Sequence, residues 1–148
     1  MAQKPFEEYE VGESYESYGR TITEADLVNF TCLAGLKSPL FIDAEYCARE
    51  SRFGQRLVPG MLTASLAAGM LEDILGRYLI AGLGIERLAF TAPVFIGDTL
   101  RSRIAIASMR PTSDGQRGVL GVRIDTRNQR GEGVMEFSTS FMMKRGRE

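Results

Sequence analysis

Carboxylates are the main candidates for acid or base chemistry in this 148-residue sequence, because it contains no histidine. The missing imidazole excludes a Ser-His-Asp or Cys-His nucleophile built from this chain alone. Its two cysteines cannot complete a structural zinc site, which takes four Cys or His ligands. Any reaction would therefore depend on carboxylates, hydroxyls, backbone amides or a partner's residues, and no metal or cofactor is expected.

The individual candidates each have a plainer structural interpretation. Asp43 precedes a short helical segment and is favoured as its N-cap rather than as a catalytic group. Glu72 and Asp73 lie near the end of an apolar stretch, where acidic side chains oppose a helix dipole, so catalytic use is not expected. Ser65 could contact a substrate or bond to the carbonyl of Met61, and both interpretations stay open.

Cysteine usage and the first residues indicate the cytoplasm. Cys32 and Cys47 are too few for a disulfide scaffold, and Cys32 is expected in the core because no base accompanies it. The opening residues MAQKPFEEYE contain no apolar run, so no signal peptide is predicted. We expect one continuous domain over residues 1–148.

The first half of the chain indicates a short strand followed by two helices. Residues 11–20 predict the strand, Thr23 is placed to cap a first helix, and Gly35 is placed to end it. Residues 36–41 predict a loop, because Pro39 restricts Ser38 and interrupts a helix. A second helix is predicted over 44–50.

The segment Gly60–Gly76, GMLTASLAAGMLEDILG, predicts the longest helix. Its first charged residue is Glu72, and apolar or small residues cover most of its circumference. A helix of this kind is typical of a buried position, and it is too short to cross a bilayer.

The second half predicts strands. Residues 85–91 form one candidate, and apolar and polar residues then alternate over 99–109, 118–127 and 133–143, with turn-forming residues between them. Three such strands in succession favour an antiparallel meander with one polar face. The class is therefore α+β, and a long helix wrapped by an antiparallel sheet is the hot-dog arrangement.

Charge is distributed unevenly along the chain although the net charge is -1. Residues 1–100 are acidic on balance and residues 101–148 are basic, but there is no overall basic surface for nucleic acid. Six arginines alternate with apolar residues in the basic part: Arg101, Arg103, Arg110, Arg117, Arg123 and Arg127. Most are expected on the outer face of the sheet, while one or two could bind the phosphates of coenzyme A or an acidic carrier protein.

Five short blocks together resemble the MaoC-like dehydratase family, which includes the R-specific enoyl-CoA hydratases. They are RTITEAD at 20–26, AGLKSPLFID at 34–43, SRFG at 51–54, LVPGML at 57–62 and PVFIGD at 93–98. The resemblance implies a dimeric hot-dog fold that binds acyl-CoA or acyl-carrier-protein thioesters near the subunit interface. It also implies that a backbone N–H at the start of the central helix polarises the thioester carbonyl.

The sequence departs from the family at the two catalytic positions. Leu36 stands where the family has an aspartate and Phe41 where it has a histidine, and Pro59 replaces a frequent histidine before the central helix. Ser38 remains as a polar residue between the two substituted positions. Neither leucine nor phenylalanine can transfer a proton, so no residue is assigned as catalytic.

We therefore expect an acyl-thioester binding protein, with no nucleic acid or membrane partner, whose standard hydration chemistry is lost or rerouted. The alternatives are a divergent dehydratase, a non-catalytic subunit paired with a competent paralogue, and an acyl-CoA thioesterase or sensor. The dimer could be homomeric or heteromeric. By the resemblance, the substrate-binding residues are Ser38, Pro39, Phe41, Pro59, Gly60, Met61 and Ser65.

Overall fold

Four helices and six strands make up the computed structural model, which describes residues 3–146. The helices are α1 (Glu24–Ala34), α2 (Pro39–Ile42), α3 (Ala44–Arg49) and α4 (Gly60–Leu75). The strands are β1 (Ser14–Glu16), β2 (Arg20–Thr21), β3 (Leu79–Phe90), β4 (Thr99–Pro111), β5 (Arg117–Arg127) and β6 (Gly133–Lys144). Single 3-10 turns occupy Phe6–Glu8 and Gly76–Tyr78.

The strands form an antiparallel sheet in the order β1-β4-β5-β6-β3, and β2 pairs with β4 beside this path. The register places Ile104 of β4 opposite Ile124 of β5, and Ile124 opposite Phe137 of β6. All three side chains are buried. The predicted meander over β4, β5 and β6 is confirmed, because β5 pairs antiparallel with both β4 and β6. Buried residues alternate with more exposed ones over 100–106 of β4 and 120–127 of β5.

Helix α4 packs its apolar side into the core formed by the inner face of the sheet. Leu62, Met70 and Ile74 of the helix belong to one buried cluster with Leu100 and Leu120 of the sheet. The predicted helix over Gly60–Gly76 is observed with its end one residue earlier, at Leu75, and the expected buried position applies to only part of its circumference in the single chain. One stripe along α4 is exposed, made up of Met61, Ser65, Ala68, Gly69, Glu72 and Asp73.

The ends of α1 confirm the expected capping residues. The Thr23 hydroxyl accepts from the Asp26 N–H, and the Asp26 carboxylate accepts from the Thr23 N–H, which completes a capping box. Gly35 ends the helix with φ of 67°, a left-handed conformation that glycine adopts without strain.

The prediction of a loop over 36–41 is wrong for its second half. Pro39 is the first residue of the four-residue helix α2, and the Ser38 hydroxyl accepts from the Leu40 N–H as its cap. A proline at the first helical position loses no hydrogen bond, because that N–H has no intrahelical partner in any helix. The restriction that Pro39 places on Ser38 therefore starts a helix here.

Two strand predictions also need correction. The opening strand is divided into β1 and β2, because Ser17–Gly19 leave the regular ladder and the Ser17 N–H bonds to the Ser102 carbonyl instead. β3 begins at Leu79 rather than at residue 85. Its first half contains two glycines, which obscure a strand pattern in the sequence, yet it pairs with β6 throughout with register shifts.

Among residues 3–146, no helix has the length and apolar character needed to cross a membrane.

Candidate functional site

The N-terminus of α4 presents two backbone donors. Pro59 precedes the helix and offers no side-chain cap, and its carbonyl accepts from the N–H groups of Leu62 and Thr63 at 3.0 and 3.3 Å. The N–H groups of Gly60 and Met61 have no acceptor within the described residues. Because unpaired N–H groups at a helix start carry a partial positive charge, they can bind an oxygen of a ligand.

Gly60 lies close against the ring of Phe90 at the end of β3, so a larger residue at position 60 would displace that ring. A Cβ atom on residue 60 would lie 2.6 Å from the Phe90 Cζ atom, closer than such atoms approach. Phe90 is half exposed, so its ring covers the first turn of α4 from the solvent side.

A first cavity, of about 320 Å³, opens beside this turn and is called here the loop-side cavity. Residues of α2, the 52–58 segment, the first turn of α4 and the end of β3 line it, including Phe41, Arg52, Leu57, Gly60, Thr63 and Phe90. Arg52 is the one ionisable side chain among the described residues that line it. Phe41 thus faces the same space as the Gly60 backbone, in agreement with the expected placement.

The 52–58 segment is fixed to its surroundings by backbone hydrogen bonds. The Leu57 N–H donates to the Leu40 carbonyl and the Val58 N–H to the Val94 carbonyl, both at 2.8 Å. The Arg56 guanidinium also donates to the Glu24 carboxylate, and this hydrogen bond lowers the pKa of Glu24. The wall of the loop-side cavity is therefore anchored to α1, α2 and the strand-connecting segment.

The positive charge of the Arg52 guanidinium group is not neutralised by any acidic side chain in the described part of the chain. The guanidinium carbon lies 4.8 Å from the ring centroid of Phe53, and Arg52 forms no ion pair with another described residue. Phe53 in turn contacts Phe95 edge to face, with ring centroids 6.1 Å apart. The Phe53 ring, held by this edge-to-face contact, positions the exposed positive charge of Arg52 at the mouth of the cavity.

Thr63 lies in the wall of the loop-side cavity and has a buried hydroxyl. Its side chain is only 2% exposed, and its Oγ1 atom has no hydrogen-bond partner among residues 3–146. Burial of an unpaired hydroxyl costs free energy, so a native structure rarely keeps one without a reason.

A second cavity, of about 460 Å³, lies on the exposed side of α4 and is called the strand-side cavity. Helix residues Met61, Ala64, Ser65, Ala68 and Leu71 line one wall, and residues of β3 and β6 line the other, including Phe137 and Phe141. Its lining is mostly apolar and contains no ionisable side chain within the described residues. Such a groove suits a hydrocarbon chain.

The structure brings four of the seven expected substrate-binding residues to these cavities. Phe41 and Gly60 line the first, and Met61 and Ser65 line the second. The Ser65 hydroxyl donates to the Met61 carbonyl at 2.8 Å, which is one of the two interpretations left open. Their roles toward a substrate remain predictions.

The other three expected residues line neither cavity. Pro59 is buried just before α4, while Ser38 and Pro39 are exposed at the start of α2. Leu36, at the other substituted catalytic position, is half-buried and also lies outside both linings.

The candidate carboxylates and Cys32 either cap a helix or are exposed to solvent. The Asp43 carboxylate accepts from the Tyr46 N–H at 2.8 Å, so its expected capping role is confirmed. Glu72 and Asp73 are exposed and line neither cavity. The expectation that Cys32 is in the core is wrong, because α1 directs the adjacent Thr31 inward and Cys32 toward solvent.

None of the six arginines of the sheet lines either cavity. Arg117 pairs with Asp114, and Arg123 pairs with Asp125 and Glu136, as expected for an outer face. The residues that sequence reasoning missed are Thr63 and Arg52, together with Phe90. A lone threonine in an apolar helix and the arginine of SRFG were visible signals, whereas nothing in the sequence marks Phe90.

The family comparison agrees with this geometry, since a model described as "MaoC like domain" matches residues 6–128. The chain belongs to the MaoC-like family. It is 44% identical over 102 residues to Protein MaoC of Klebsiella aerogenes, which covers 69% of this chain and 30% of that protein. It is also 32% identical over 109 residues to an (R)-specific enoyl-CoA hydratase of Rhodospirillum rubrum, covering 72% of each.

The MaoC-like chain has the hot-dog fold. A Mycobacterium tuberculosis protein described as a double hot-dog fold superposes with a TM-score of 0.89 at 22% identity, over 99% of this chain and 46% of that one. The chain spans 30% to 41% of the length of the first three curated relatives that it matches.

Proposed function

We propose that this MaoC-like chain binds acyl thioesters and does not, by itself, hydrate them through the standard acid-base pair. The loop-side cavity carries the proposal: it combines free backbone donors at Gly60 with a lining in which Arg52 is the one ionisable side chain of the described residues. Relatives that act on enoyl-CoA or hydroxyacyl-CoA substrates support the ligand class.

Polarisation of the thioester carbonyl needs no side chain. The N–H groups of Gly60 and Met61 can donate hydrogen bonds to the carbonyl oxygen at the positive end of the helix dipole. Proton transfer is different, because a positioned acid or base contributes typically 10²–10⁴-fold and Phe41 supplies neither. Arg52 does not replace them, because a guanidinium stays protonated at neutral pH.

The part of the acyl chain beyond C3 is assigned to the strand-side cavity. Met61 lines that cavity and directly follows Gly60, which lines the other, so a carbonyl bound at the helix start can direct its chain along α4. The coenzyme or carrier is assigned to the mouth of the loop-side cavity, where Arg52 offers an unneutralised cation to phosphate groups.

A second candidate is a subunit that completes its site with another hot-dog chain. Among residues 3–146, β3 is an edge strand that pairs with β6 and no other strand, and Leu83 and Ile85 on it are 47% and 58% exposed. The exposed stripe of α4 adjoins this strand across the strand-side cavity. An edge with unpaired backbone groups and apolar side chains favours pairing with a second edge, in a homodimer or a heterodimer.

Calorimetric titration of the purified protein with butyryl-CoA and with free coenzyme A tests the binding. We expect butyryl-CoA to bind more tightly, and equal affinities or no binding would contradict the proposal. A hydration assay with crotonyl-CoA, run beside a competent (R)-specific hydratase, tests the second half. Turnover at a comparable rate would show that other groups perform the chemistry.

A further inference from the structure

The serine and threonine hydroxyls on the helices of this chain differ in whether they hydrogen-bond to the helix backbone. The Thr31 hydroxyl donates to the Leu27 carbonyl at 2.9 Å, and the Ser65 hydroxyl donates to the Met61 carbonyl at 2.8 Å. Both follow the usual pattern, in which a helical hydroxyl bonds one turn back. The Thr63 hydroxyl makes no such bond, although it is the most deeply buried of the three.

The carbonyl that Thr63 would normally use is already engaged. It belongs to Pro59, and it accepts from the N–H groups of Leu62 and Thr63. The hydroxyl of Thr91, which lines the same cavity, donates to the Gly133 carbonyl at 2.7 Å and is therefore occupied as well. Thr63, a residue in the wall of the loop-side cavity, is left with a buried hydroxyl that has no hydrogen-bond partner among the described residues.

The spacing between Gly60 and Thr63 fits two oxygens of one acyl group. Residues three apart lie on neighbouring positions of one helix face, about 4.5 Å apart along the axis. By ordinary bond lengths, the carbonyl oxygen of a 3-hydroxyacyl thioester lies about 3–5 Å from its C3 hydroxyl. A carbonyl held by the Gly60 N–H thus places a C3 oxygen within reach of Thr63.

We propose that the Thr63 hydroxyl hydrogen-bonds the C3 hydroxyl of a bound 3-hydroxyacyl thioester and so selects such ligands over saturated ones. The inference rests on the proposed acyl-thioester binding and names the oxidation state of the acyl group that this site prefers. Thr63 is a specificity residue here, since no bond forms or breaks at its oxygen.

The test compares (R)-3-hydroxybutyryl-CoA with butyryl-CoA by titration calorimetry on four proteins: wild type, Thr63→Val, Thr63→Ser and Thr31→Val. Valine keeps the shape of threonine and removes the hydroxyl, and serine keeps the hydroxyl. Thr31→Val makes the same chemical change in α1, at a residue that lines neither cavity. We expect wild type and Thr31→Val to prefer the hydroxyacyl ligand.

Thr63→Val is expected to lose about five- to tenfold in affinity for the hydroxyacyl ligand and to bind butyryl-CoA unchanged, because one hydrogen bond is removed. Thr63→Ser should retain the preference. Without ligand, Thr63→Val should melt at the same temperature as wild type or higher, since an unpaired buried hydroxyl is removed. A purely structural role for Thr63 predicts a lower melting temperature and no change in ligand preference.

Three results would overturn the inference. They are an unchanged preference in Thr63→Val, an equal loss of affinity for both ligands, and the absence of any preference in the wild type. Each of these leaves butyryl-CoA binding by the wild type intact, so the proposed function would stand. Absence of butyryl-CoA binding in wild type contradicts the proposed function itself, and the inference with it.

Discussion

The loop-side and strand-side cavities lie on either side of one helix and differ in what the sequence has preserved. The strand-side cavity keeps the apolar lining that a hydrocarbon chain needs. The loop-side cavity keeps its backbone donors at Gly60 but has Phe41 where the family resemblance implies a histidine. Under the proposed function, backbone donors and an apolar lining are enough to bind an acyl thioester, whereas hydration also needs proton-transferring side chains.

The strongest challenge to this contrast is to restore the two substituted side chains together. Leu36→Asp with Phe41→His should raise crotonyl-CoA hydration by about 10²–10⁴-fold over wild type, the contribution of positioned acid-base groups. Leu36→Asn with Phe41→Gln is the matched control, since it is polar but transfers no proton in the same way. Absence of a gain would show that the loop-side cavity has lost more than two side chains.

Obstruction of the strand-side cavity tests the other half of the comparison. In wild type each added CH₂ of the acyl chain should strengthen binding about fourfold, from about 0.8 kcal/mol per methylene. Ala68→Phe places a ring in the cavity and should abolish this dependence while acetyl-CoA still binds. Ala25→Phe adds the same ring at an exposed site on α1. A chain-length series by calorimetry distinguishes them, and a preserved slope in Ala68→Phe would place the chain elsewhere.

A smaller effect is expected from the cation at the mouth of the loop-side cavity. Arg52→Gln should weaken acyl-CoA binding about two- to fivefold and reduce its dependence on salt, because one charge-assisted contact to phosphate is lost. Arg117→Gln removes a paired charge from the outer face and should change neither quantity. If both variants behave alike, the carrier does not bind at Arg52.

The smallest effect on either cavity should come from the capping box of α1. At neutral pH Asp26→Asn should lower the free energy of unfolding by about 1 kcal/mol and leave ligand affinity unchanged. Burial alone would raise the pKa of Asp26, but hydrogen bonds from Arg20 and Thr23 outweigh it and lower the pKa. The stabilisation is therefore present above the unfolded-state pKa and is lost as the pH falls through the folded-state value.

Denaturant titrations across the acidic range measure the difference in the free energy of unfolding between wild type and Asp26→Asn. This difference should shrink below about pH 4, where the unfolded-state carboxylate takes up a proton. A change in acyl-CoA affinity in this variant would instead show that α1 and the cavities are coupled.

The sequence predicts the regular parts of this molecule well and the contacts between distant segments poorly. The alternation in β4–β6 and the bounds of α4 follow from local periodicity, and the capping roles of Thr23 and Asp43 follow from local side-chain chemistry. The two glycines of β3 conceal a strand that exists because β6 pairs with it. Phe90 contacts Gly60 only through the tertiary arrangement, so no local sequence pattern predicts this contact.

The candidate site shows the same division. The positions of Phe41 and Gly60 were predictable because recognisable blocks carry them, and both line the loop-side cavity. The state of the Thr63 hydroxyl was not predictable, because it depends on how the Pro59 carbonyl is shared between two N–H groups. A threonine hydroxyl in a helix ordinarily donates to the backbone carbonyl one turn back, and only the three-dimensional structure reveals an exception.

The edge position of β3 also sets how its amide protons exchange with solvent. Successive N–H groups of a strand point to opposite sides, so one set bonds to β6 and the alternate set points away from it. In deuterated solvent the outward set should exchange rapidly and the inward set slowly, giving alternating protection along Leu79–Phe90. Attachment of another strand would slow the outward set, so exchange rates along β3 would report assembly residue by residue.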